Sequence, residues 1–157
     1  MPSEAPSGST FAAPGAKDEL EQGKSFTPRF GPDGLIPCIT TDAASGEVLM
    51  FAWMNALALR KTIDTGQVHY WSRSRGELWH KGATSSMVQH VVELRIDCDQ
   101  DVLLAKVRVD GPGAACHTGF RSCFFRSVVL EPGTGSEISL RFEEADPAFD
   151  PDAVYGG

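Results

Sequence analysis

The feature that most constrains the fold is a period-two hydrophobic pattern that changes phase in its middle. Over residues 92–98 the apolar residues occupy even positions and alternate with charged residues, which is typical of a half-buried strand. Over residues 103–109 the apolar residues fall on odd positions instead. Such a slip requires a bulge or a tight hairpin between Cys98 and Asp101. We therefore predict two strands joined by a bend, with Cys98 on the apolar side and the aspartates on the polar side.

This bend, residues 97–101, is called the acidic turn below because it carries three carboxylates. Asp97, Asp99 and Asp101 repel one another when they are crowded, and a hard cation with oxygen ligands is the simplest way to hold them together. The thiol of Cys98 suits a softer metal such as zinc. The pattern alone leaves open the alternative of a solvated acidic turn beside a buried cysteine.

Length and charge limit the class of protein. A chain of 157 residues forms one domain that can bury a core without disulfides. The formal charge of −7 argues against a general binder of nucleic acid or of membrane surfaces. No apolar run is long enough to span a bilayer, and the first residues lack the pattern of a secretory signal. We expect a cytoplasmic protein whose four cysteines bind metal, act in catalysis or are buried.

Composition divides the chain into three parts. Residues 1–25 are rich in Ser, Ala, Pro, Gly and charge, and we predict a disordered N-terminal arm. Residues 26–142 carry the periodic segments and form the folded domain, and residues 143–157 are predicted to be a loose acidic tail. The expected fold class is α+β and β-rich, a compact hairpin-built sheet with one main helix.

The first half of this domain is predicted to contain a hairpin and the helix. Strands over residues 35–40 and 47–54 flank a turn, and Pro37 favours an edge position for the first of them. The helix begins after Asn55, an N-cap residue, and ends before Gly66, so it covers about residues 56–65.

The second half is predicted to add further strands. Two aromatic-rich runs around Gly76 indicate a hairpin over residues 68–82, and the acidic turn closes another over residues 88–109. Residues 124–130 and 137–142 are predicted to be strands.

The hairpin around Gly76 carries a candidate anion site. Because side chains alternate along a strand, Arg73 and Arg75 are predicted to share one strand face. Two guanidinium groups that point the same way suit a phosphate or a carboxylate. Lys81 adds a cation near the same structure if the hairpin pairs in this way. A pair of arginines is also typical of a face that is simply solvated.

The segment over residues 116–123, called the cysteine loop below, carries two thiols and a histidine. The six-residue separation of Cys116 and Cys123 is a weak zinc signal by itself, but Cys98 brings the thiolates to three. A zinc ion with three protein ligands leaves a position for water and lowers the pKa of that water to about 7. His117 can accept the proton that this water loses. The alternative is that His117 is only a hydrogen-bonded histidine of the loop. Cys38 lies in an apolar strand and is predicted to be a buried core residue.

Several long motifs resemble one known family. They occur in that family's order and spacing over roughly residues 31–127. The family is phosphoribosyl-AMP cyclohydrolase of histidine biosynthesis, in its stand-alone form. The motifs are Gly34-Leu35-Ile36-Pro37, Gly46-Glu47-Val48-Leu49-Met50, Trp53-Met54-Asn55, Tyr70-Trp71-Ser72-Arg73-Ser74-Arg75, Leu78-Trp79-His80-Lys81-Gly82, Asp97-Cys98-Asp99-Gln100-Asp101, Ala115-Cys116-His117-Thr118-Gly119 and Arg121-Ser122-Cys123-Phe124.

The resemblance implies an activity, two metals and a homodimer. The reaction is the zinc-dependent opening of the adenine ring of phosphoribosyl-AMP, in which activated water adds at C6 and the N1–C6 bond breaks. Zinc would be held by Cys116 and Cys123 of one subunit and Cys98 of the other. Magnesium would be held by Asp97, Asp99 and Asp101, and His117 is the candidate for proton transfer. The residues suited to hold the substrate and its two phosphates are Ser72, Arg73, Ser74, Arg75, Lys81, Thr118, Arg121 and Ser122.

The chain departs from the family pattern after Gly82, and this departure keeps a non-catalytic function open. Ser86 stands where the family usually has glycine, and Met87 stands where a polar residue is frequent. A non-catalytic nucleotide- or metal-binding protein is one rival, and a redox protein that uses Cys116 and Cys123 is another. A zinc nucleobase deaminase would show His-x-Glu and Pro-Cys-x-x-Cys motifs, and the sequence has neither.

Overall fold

The computed structural model describes residues 11–133, 135, 137–144 and 146–152. They form a sheet-rich α+β domain with a six-stranded sheet and a separate two-stranded sheet, in agreement with the predicted fold class. None of the helices in this described part has the length and apolar character needed to cross a bilayer. In chain order the elements are α1 (Lys17–Gln22), β1 (Ile36–Asp42), β2 (Val48–Met54), α2 (Ala56–Thr65), β3 (His69–Ser72), β4 (Glu77–His80), β5 (Gln89–Ile96), β6 (Leu103–Val109), β7 (Arg126–Val128) and β8 (Leu140–Phe142).

The large sheet has the strand order β4-β3-β2-β1-β6-β5. β1 and β6 are parallel and the other neighbours are antiparallel. The predicted edge position of the first strand is wrong, because β1 lies between β2 and β6. Pro37 is tolerated there because the ladder with β6 begins only at Cys38, which pairs with Leu103, so no hydrogen bond of that ladder needs the missing N–H.

Helix α2 has the predicted bounds. The Asn55 side chain accepts a hydrogen bond from Ala58 N at 2.8 Å, and Gly66 ends the helix at φ 70°, a left-handed conformation that glycine adopts without steric cost. The buried face consists of Ala58, Leu59 and Thr62. The Thr62 hydroxyl donates to Ala58 O at 2.8 Å and accepts from the N–H of the first β3 residue at 2.9 Å, so this polar side chain is satisfied in the core.

The β5–β6 hairpin and the bend at the acidic turn are confirmed. Asp97 N donates to Val102 O at 3.0 Å and closes the turn. The predicted side of Cys98 is wrong, because this thiol is exposed. A register shift between Val91 and Glu93 breaks the alternation in β5, and Cys98 lies beyond the end of the strand, where the pleat no longer sets its direction.

The N-terminal segment differs from the predicted disordered arm. Residues 17–22 form helix α1, and the ring of Phe11 packs edge-on against Phe26 with centroids 5.6 Å apart. The buried side chain of Gln100 accepts a hydrogen bond from Thr27 N at 2.8 Å. Aromatic contacts and this polar contact therefore order residues that composition marks as unstructured. Residues 1–10 of the predicted arm lie outside the described part of the chain.

The chain after the cysteine loop folds back over it. β7 and β8 pair in the small sheet, and Phe120, Phe125 and Phe142 form an aromatic cluster beside it. Residues 146–152, called the C-terminal strap below, reach this loop through hydrogen bonds from Ala148 N (2.7 Å) and Phe149 N (3.4 Å) to Gly119 O. This part of the predicted loose tail is thus packed, and residues 145 and 153–157 lie outside the described part of the chain.

Candidate active site and metal ligands

The acidic turn gathers its three carboxylates as the sequence predicts. One carboxylate oxygen from each of Asp97, Asp99 and Asp101 lies within 4.8 Å of the others. Asp97 Oδ1 accepts hydrogen bonds from Asp101 N at 2.9 Å and from Val102 N at 3.0 Å, so one carboxylate also shapes the turn that carries the other two. These oxygens are the hard ligands that magnesium prefers.

The electrostatics of the acidic turn favour a bound cation. Partial burial raises the pKa of Asp101 to about 6, and the neighbouring Asp97 and Asp99 carboxyl groups act in the same direction. Partial burial also opposes ionisation of Asp97, but the backbone N–H groups of Val102 and Asp101 outweigh it and the pKa of Asp97 is lowered. Full ionisation therefore costs free energy that a divalent cation among the three carboxylates would offset. The residues present fit a magnesium site.

The cysteine loop brings its two thiols together. Hydrogen bonding with the Cys123 side chain lowers the pKa of Cys116 to about 5 against the opposing effect of burial, and Thr118 contributes through its Oγ1, which lies 2.9 Å from Cys116 Sγ. The same interaction with Cys116, together with burial, raises the pKa of Cys123. The two sulfurs thus share one proton. Adjacent sulfur donors of this kind fit zinc and leave room for further ligands.

Strand β2 holds the cysteine loop in place. Ser122 Oγ donates to Val48 O at 2.7 Å, and Cys123 N donates to Leu49 O at 2.7 Å. Ser122 is buried, and its hydroxyl also accepts from Phe124 N at 2.9 Å. The sequence predicts that Ser122 donates to substrate, whereas in the structure its hydroxyl fastens the loop to the sheet.

Lys81 lies beside the thiols, a role that sequence analysis missed. It is only 5% exposed, Nζ donates to Ala115 O at 2.6 Å, and the ammonium sits 4.9 Å from the centroid of the Trp79 ring. Burial lowers the pKa of Lys81, while Cys123 and Cys116 act to raise it. The predicted role was phosphate binding, but this geometry makes Lys81 a buried cation that favours the thiolate form of the pair.

The predicted phosphate-binding residues Ser72 to Arg75 stay together, although not on a strand face. β3 ends at Ser72, so Arg73 and Arg75 lie in the connecting turn and the predicted shared strand face is wrong. The Arg73 guanidinium lies 4.9 Å from the centroid of the Trp53 ring, and Arg75 Nε lies 3.3 Å from Ser72 Oγ and 3.5 Å from Glu77 Oε1. Both arginines are exposed and can reach an anion.

A cleft of about 440 Å³ lies against this turn. Aromatic side chains form part of its wall and the serine and arginine residues form its polar edge. Tyr70 lies outside the cleft, fully buried, with its hydroxyl bonded to Thr40 Oγ1 (2.6 Å) and Gln89 Oε1 (2.7 Å). The lining residues are Phe51, Ala52, Trp53, Trp71, Ser72, Arg73, Ser74, Arg75 and Trp79.

The remaining predicted residues lie on the cysteine loop or on the acidic turn. His117 is exposed. Arg121 Nη2 pairs with Glu47 Oε1 at 2.8 Å, so Arg121 fixes the loop to the residue that precedes β2. Cys98 does not join Cys116 and Cys123 in one chain: among the described residues, the acidic turn alone brings three His, Cys, Asp or Glu ligand atoms within 4.8 Å.

The departure from the family pattern after Gly82 has a clear structural form. Ser86 keeps a left-handed backbone with φ 66°, the conformation for which glycine is the natural residue. Met87 is 2% exposed and packs in the core, so it faces away from solvent. The loop therefore retains a glycine-like backbone despite the substitution.

A sheet-rich α+β domain with a cysteine pair, a carboxylate cluster and an arginine-edged cleft has the site composition of a hydrolytic enzyme. The family model for phosphoribosyl-AMP cyclohydrolase matches residues 50–125, which include all of these groups. The chain belongs to the phosphoribosyl-AMP cyclohydrolase family and is a hydrolase of this type.

Similarity to individual members extends beyond the family match. The phosphoribosyl-AMP cyclohydrolase of Brucella anthropi is 58% identical over 134 residues, covering 85% of this chain and 93% of that protein. The corresponding protein of Bradyrhizobium diazoefficiens is 57% identical over 137 residues, covering 87% and 94%. That of a Chelativorans species is 59% identical over 124 residues, covering 78% and 89%. These matches cover most of the chain and nearly all of each relative, so the family assignment applies to most of the chain.

Proposed function

We propose that this chain catalyses the hydrolytic opening of the adenine ring of phosphoribosyl-AMP, at the N1–C6 bond, as a step of histidine biosynthesis. The observation that carries the proposal is the thiol pair of Cys116 and Cys123, in which Cys116 has a pKa of about 5 and Lys81 supplies a buried positive charge. Ring opening by addition of water to C6 needs a strong nucleophile at neutral pH, and a site of this kind can provide one through zinc.

Zinc would be held by Cys116 and Cys123, with Cys98 of the partner subunit as the third sulfur ligand. When bound there, it would lower the pKa of water to about 7 and act as a Lewis acid toward the ring. The carboxylates of Asp97, Asp99 and Asp101 would hold magnesium, which in proteins is commonly bound by carboxylates together with substrate phosphates.

The residues of the chain bind the substrate and move the proton. Arg73 and Arg75 bind a phosphate through their guanidinium groups, with the hydroxyls of Ser72 and Ser74 as further donors. The aromatic walls of the cleft exclude water from the purine and offer rings for stacking. His117 is exposed on the cysteine loop, next to Cys116, and passes the proton from the attacking water to the ring nitrogen that leaves C6.

The direct test is a spectrophotometric assay of the purified protein with phosphoribosyl-AMP, zinc and magnesium. We expect ring opening, and a loss of more than about 100-fold in Cys116→Ala, because the variant removes a sulfur ligand. Cys38→Ala is the matched control, since Cys38 is a core thiol of β1 outside the cysteine loop and this variant should retain activity while folded. Absence of ring opening with both metals supplied would reject the proposed reaction and favour a binding protein.

A thiol redox protein is the second candidate, because the lowered pKa of Cys116 also favours thiol exchange. Elemental analysis separates the two functions. The proposed hydrolase should contain about one zinc ion per chain after purification without chelators. A protein without zinc that exchanges thiols with a small disulfide would support the redox function instead.

A further inference from the structure

Gln100, in the middle of the acidic turn, is bonded to a part of the chain more than 70 residues away. Its side chain is 5% exposed, and Nε2 donates to Leu20 O at 2.9 Å and to Ser25 O at 3.1 Å. Its Oε1 accepts from Thr27 N at 2.8 Å, and its backbone carbonyl accepts from Arg29 N at 2.7 Å. One residue thus makes four hydrogen bonds to the N-terminal segment, and both N–H groups of its amide are used.

The backbone at Gln100 adopts a conformation that needs such support. Its φ is 58°, in the left-handed region that costs roughly 1–2 kcal/mol for a residue with a Cβ. The turn is further shaped by Gln100 N, which donates to Asp97 O at 3.1 Å. If the turn relaxed, these buried hydrogen bonds would be lost and their carbonyl and N–H groups would stay unpaired, which costs free energy. The four contacts therefore stabilise the left-handed conformation of Gln100.

The position of Gln100 connects this support to the carboxylates. Gln100 lies between Asp99 and Asp101, and the spacing of their oxygens depends on the φ and ψ angles of the residue that joins them. A turn that relaxes to an ordinary conformation at this residue would move the two carboxylates apart. A cation site requires its oxygen ligands within fractions of an ångström of their positions.

We propose that Gln100 is a positioning residue through which the N-terminal segment, residues 20–29, holds the acidic turn in its cation-binding shape. The proposal rests on the magnesium site proposed above and deepens it by making the cation affinity depend on a segment that precedes the family match at residues 50–125. Gln100 touches neither substrate nor metal; it acts through Asp99 and Asp101.

The test uses the full chain and Mn²⁺ as the probe, with the free ion counted by electron paramagnetic resonance. Gln100→Met keeps the length of the side chain and removes its three hydrogen bonds, and Gln100→Ala removes its volume as well. Gln22→Met is the matched control, because Gln22 is exposed on the same N-terminal segment. Asp99→Asn reports on the site itself. Circular dichroism at the temperature of the titration confirms that each variant is folded.

We expect Asp99→Asn and both Gln100 variants to raise the Kd for Mn²⁺ by about 10-fold or more, the scale of losses when the support of a metal ligand is removed. Gln22→Met should bind as the unaltered protein does. If the Gln100 variants lower the melting temperature but leave the Kd unchanged, Gln100 is only structural and the proposal is overturned. If Asp99→Asn also leaves the Kd unchanged, the magnesium site itself is rejected.

Discussion

Ser86 has a left-handed backbone conformation, in which any residue that carries a Cβ is strained. Glycine relieves a strain of roughly 1–2 kcal/mol at such a position and loses part of that gain because the unfolded chain becomes more flexible. We expect Ser86→Gly to raise the free energy of unfolding by about 0.5–1 kcal/mol, measured by urea denaturation. Ser86→Ala keeps the Cβ and should bring no such gain. A stabilising alanine with a neutral glycine would show that the hydroxyl, and not the backbone, determines stability here.

His69 makes the stability of the fold depend on pH. It is 7% exposed, and burial lowers its pKa from the ordinary value of 6.5, with the charges of His80 and Lys61 acting in the same direction while the Gln67 carbonyl opposes them. Below pH 6.5 the unfolded chain therefore binds a proton that the folded chain resists, so the free energy of unfolding falls as the pH decreases through this value. The His80 ring, stacked at 4.4 Å, faces His69 directly.

We expect His69→Asn to flatten this pH dependence. The measurement is the urea unfolding free energy from about pH 7.5 down to about pH 5, compared between the variant and the unaltered protein. His69→Gln also removes the ionisable ring and should flatten the slope in the same way. An unchanged slope in His69→Asn would assign the acid sensitivity to another group.

At single residues, sequence analysis predicts a cluster when its members are neighbours in the sequence, and fails when the partner is a distant backbone group. Asp97, Asp99 and Asp101 are predicted as a cluster because their spacing at a bend is visible in the sequence itself. The contacts of Lys81 and Ser122 could not be predicted, because their partners are backbone carbonyl groups at Ala115 and Val48, which carry no signal in the sequence.

At the scale of elements, local signals are reliable and long-range ones are not. The bounds of α2 follow from Asn55 and Gly66, which act within one turn of the helix. The interior place of β1 depends on its parallel pairing with β6, more than 60 residues later, and Pro37 gives no information about that partner. The packing of residues 17–30 likewise depends on Gln100, a distant residue whose amide is unremarkable in the sequence.

The C-terminal strap is an element whose contact with the cysteine loop depends on one glycine. Gly119 has φ 98°, and a Cβ at this position would lie 2.4 Å from Phe149 O and 3.0 Å from Pro147 Cβ. Gly119→Ala therefore adds a collision with the strap to the cost of a left-handed alanine. Gly113→Ala is the matched control, because Gly113 has φ 81° and open space around its Cβ position.

We expect both alanine variants to lose about 1–2 kcal/mol of unfolding free energy from backbone strain, and Gly119→Ala to lose more. Hydrogen exchange distinguishes the mechanism: the amide of Ala148, bonded to Gly119 O, should lose protection in Gly119→Ala and keep it in Gly113→Ala. Equal protection of Ala148 in the two variants would mean that the strap does not depend on the glycine.

At the scale of the whole molecule, the proposed zinc site needs more than one chain. The cysteine loop is fastened to β2, whereas Cys98 follows β5, and β1 and β6 lie between these strands in the sheet. Three strand spacings correspond to roughly 14 Å, far beyond the reach of three sulfurs around one ion. The exposure of Cys98 leaves it free to meet a second copy of the chain.

Mixed dimers test this arrangement. Cys98→Ala and Cys116→Ala should each be inactive alone, because every site in either homodimer lacks one sulfur ligand. In a mixed dimer, one site combines the intact cysteine loop of the first variant with the intact Cys98 of the second. Random exchange of equal amounts makes half of the dimers mixed with one of two sites complete, so about a quarter of the full activity should return.

A mixture of Cys116→Ala with Cys123→Ala is the control for recovery that subunit exchange alone would cause. Both substitutions break the sulfur pair within the same loop, so each site in this mixed dimer still lacks a ligand and no activity should return. Subunit exchange is verified by mass spectrometry of differently tagged chains before the assay. Recovery in the first mixture alone supports a zinc ion shared between subunits, whereas failure of the first mixture after complete exchange would show that each chain assembles its site without the partner subunit's Cys98.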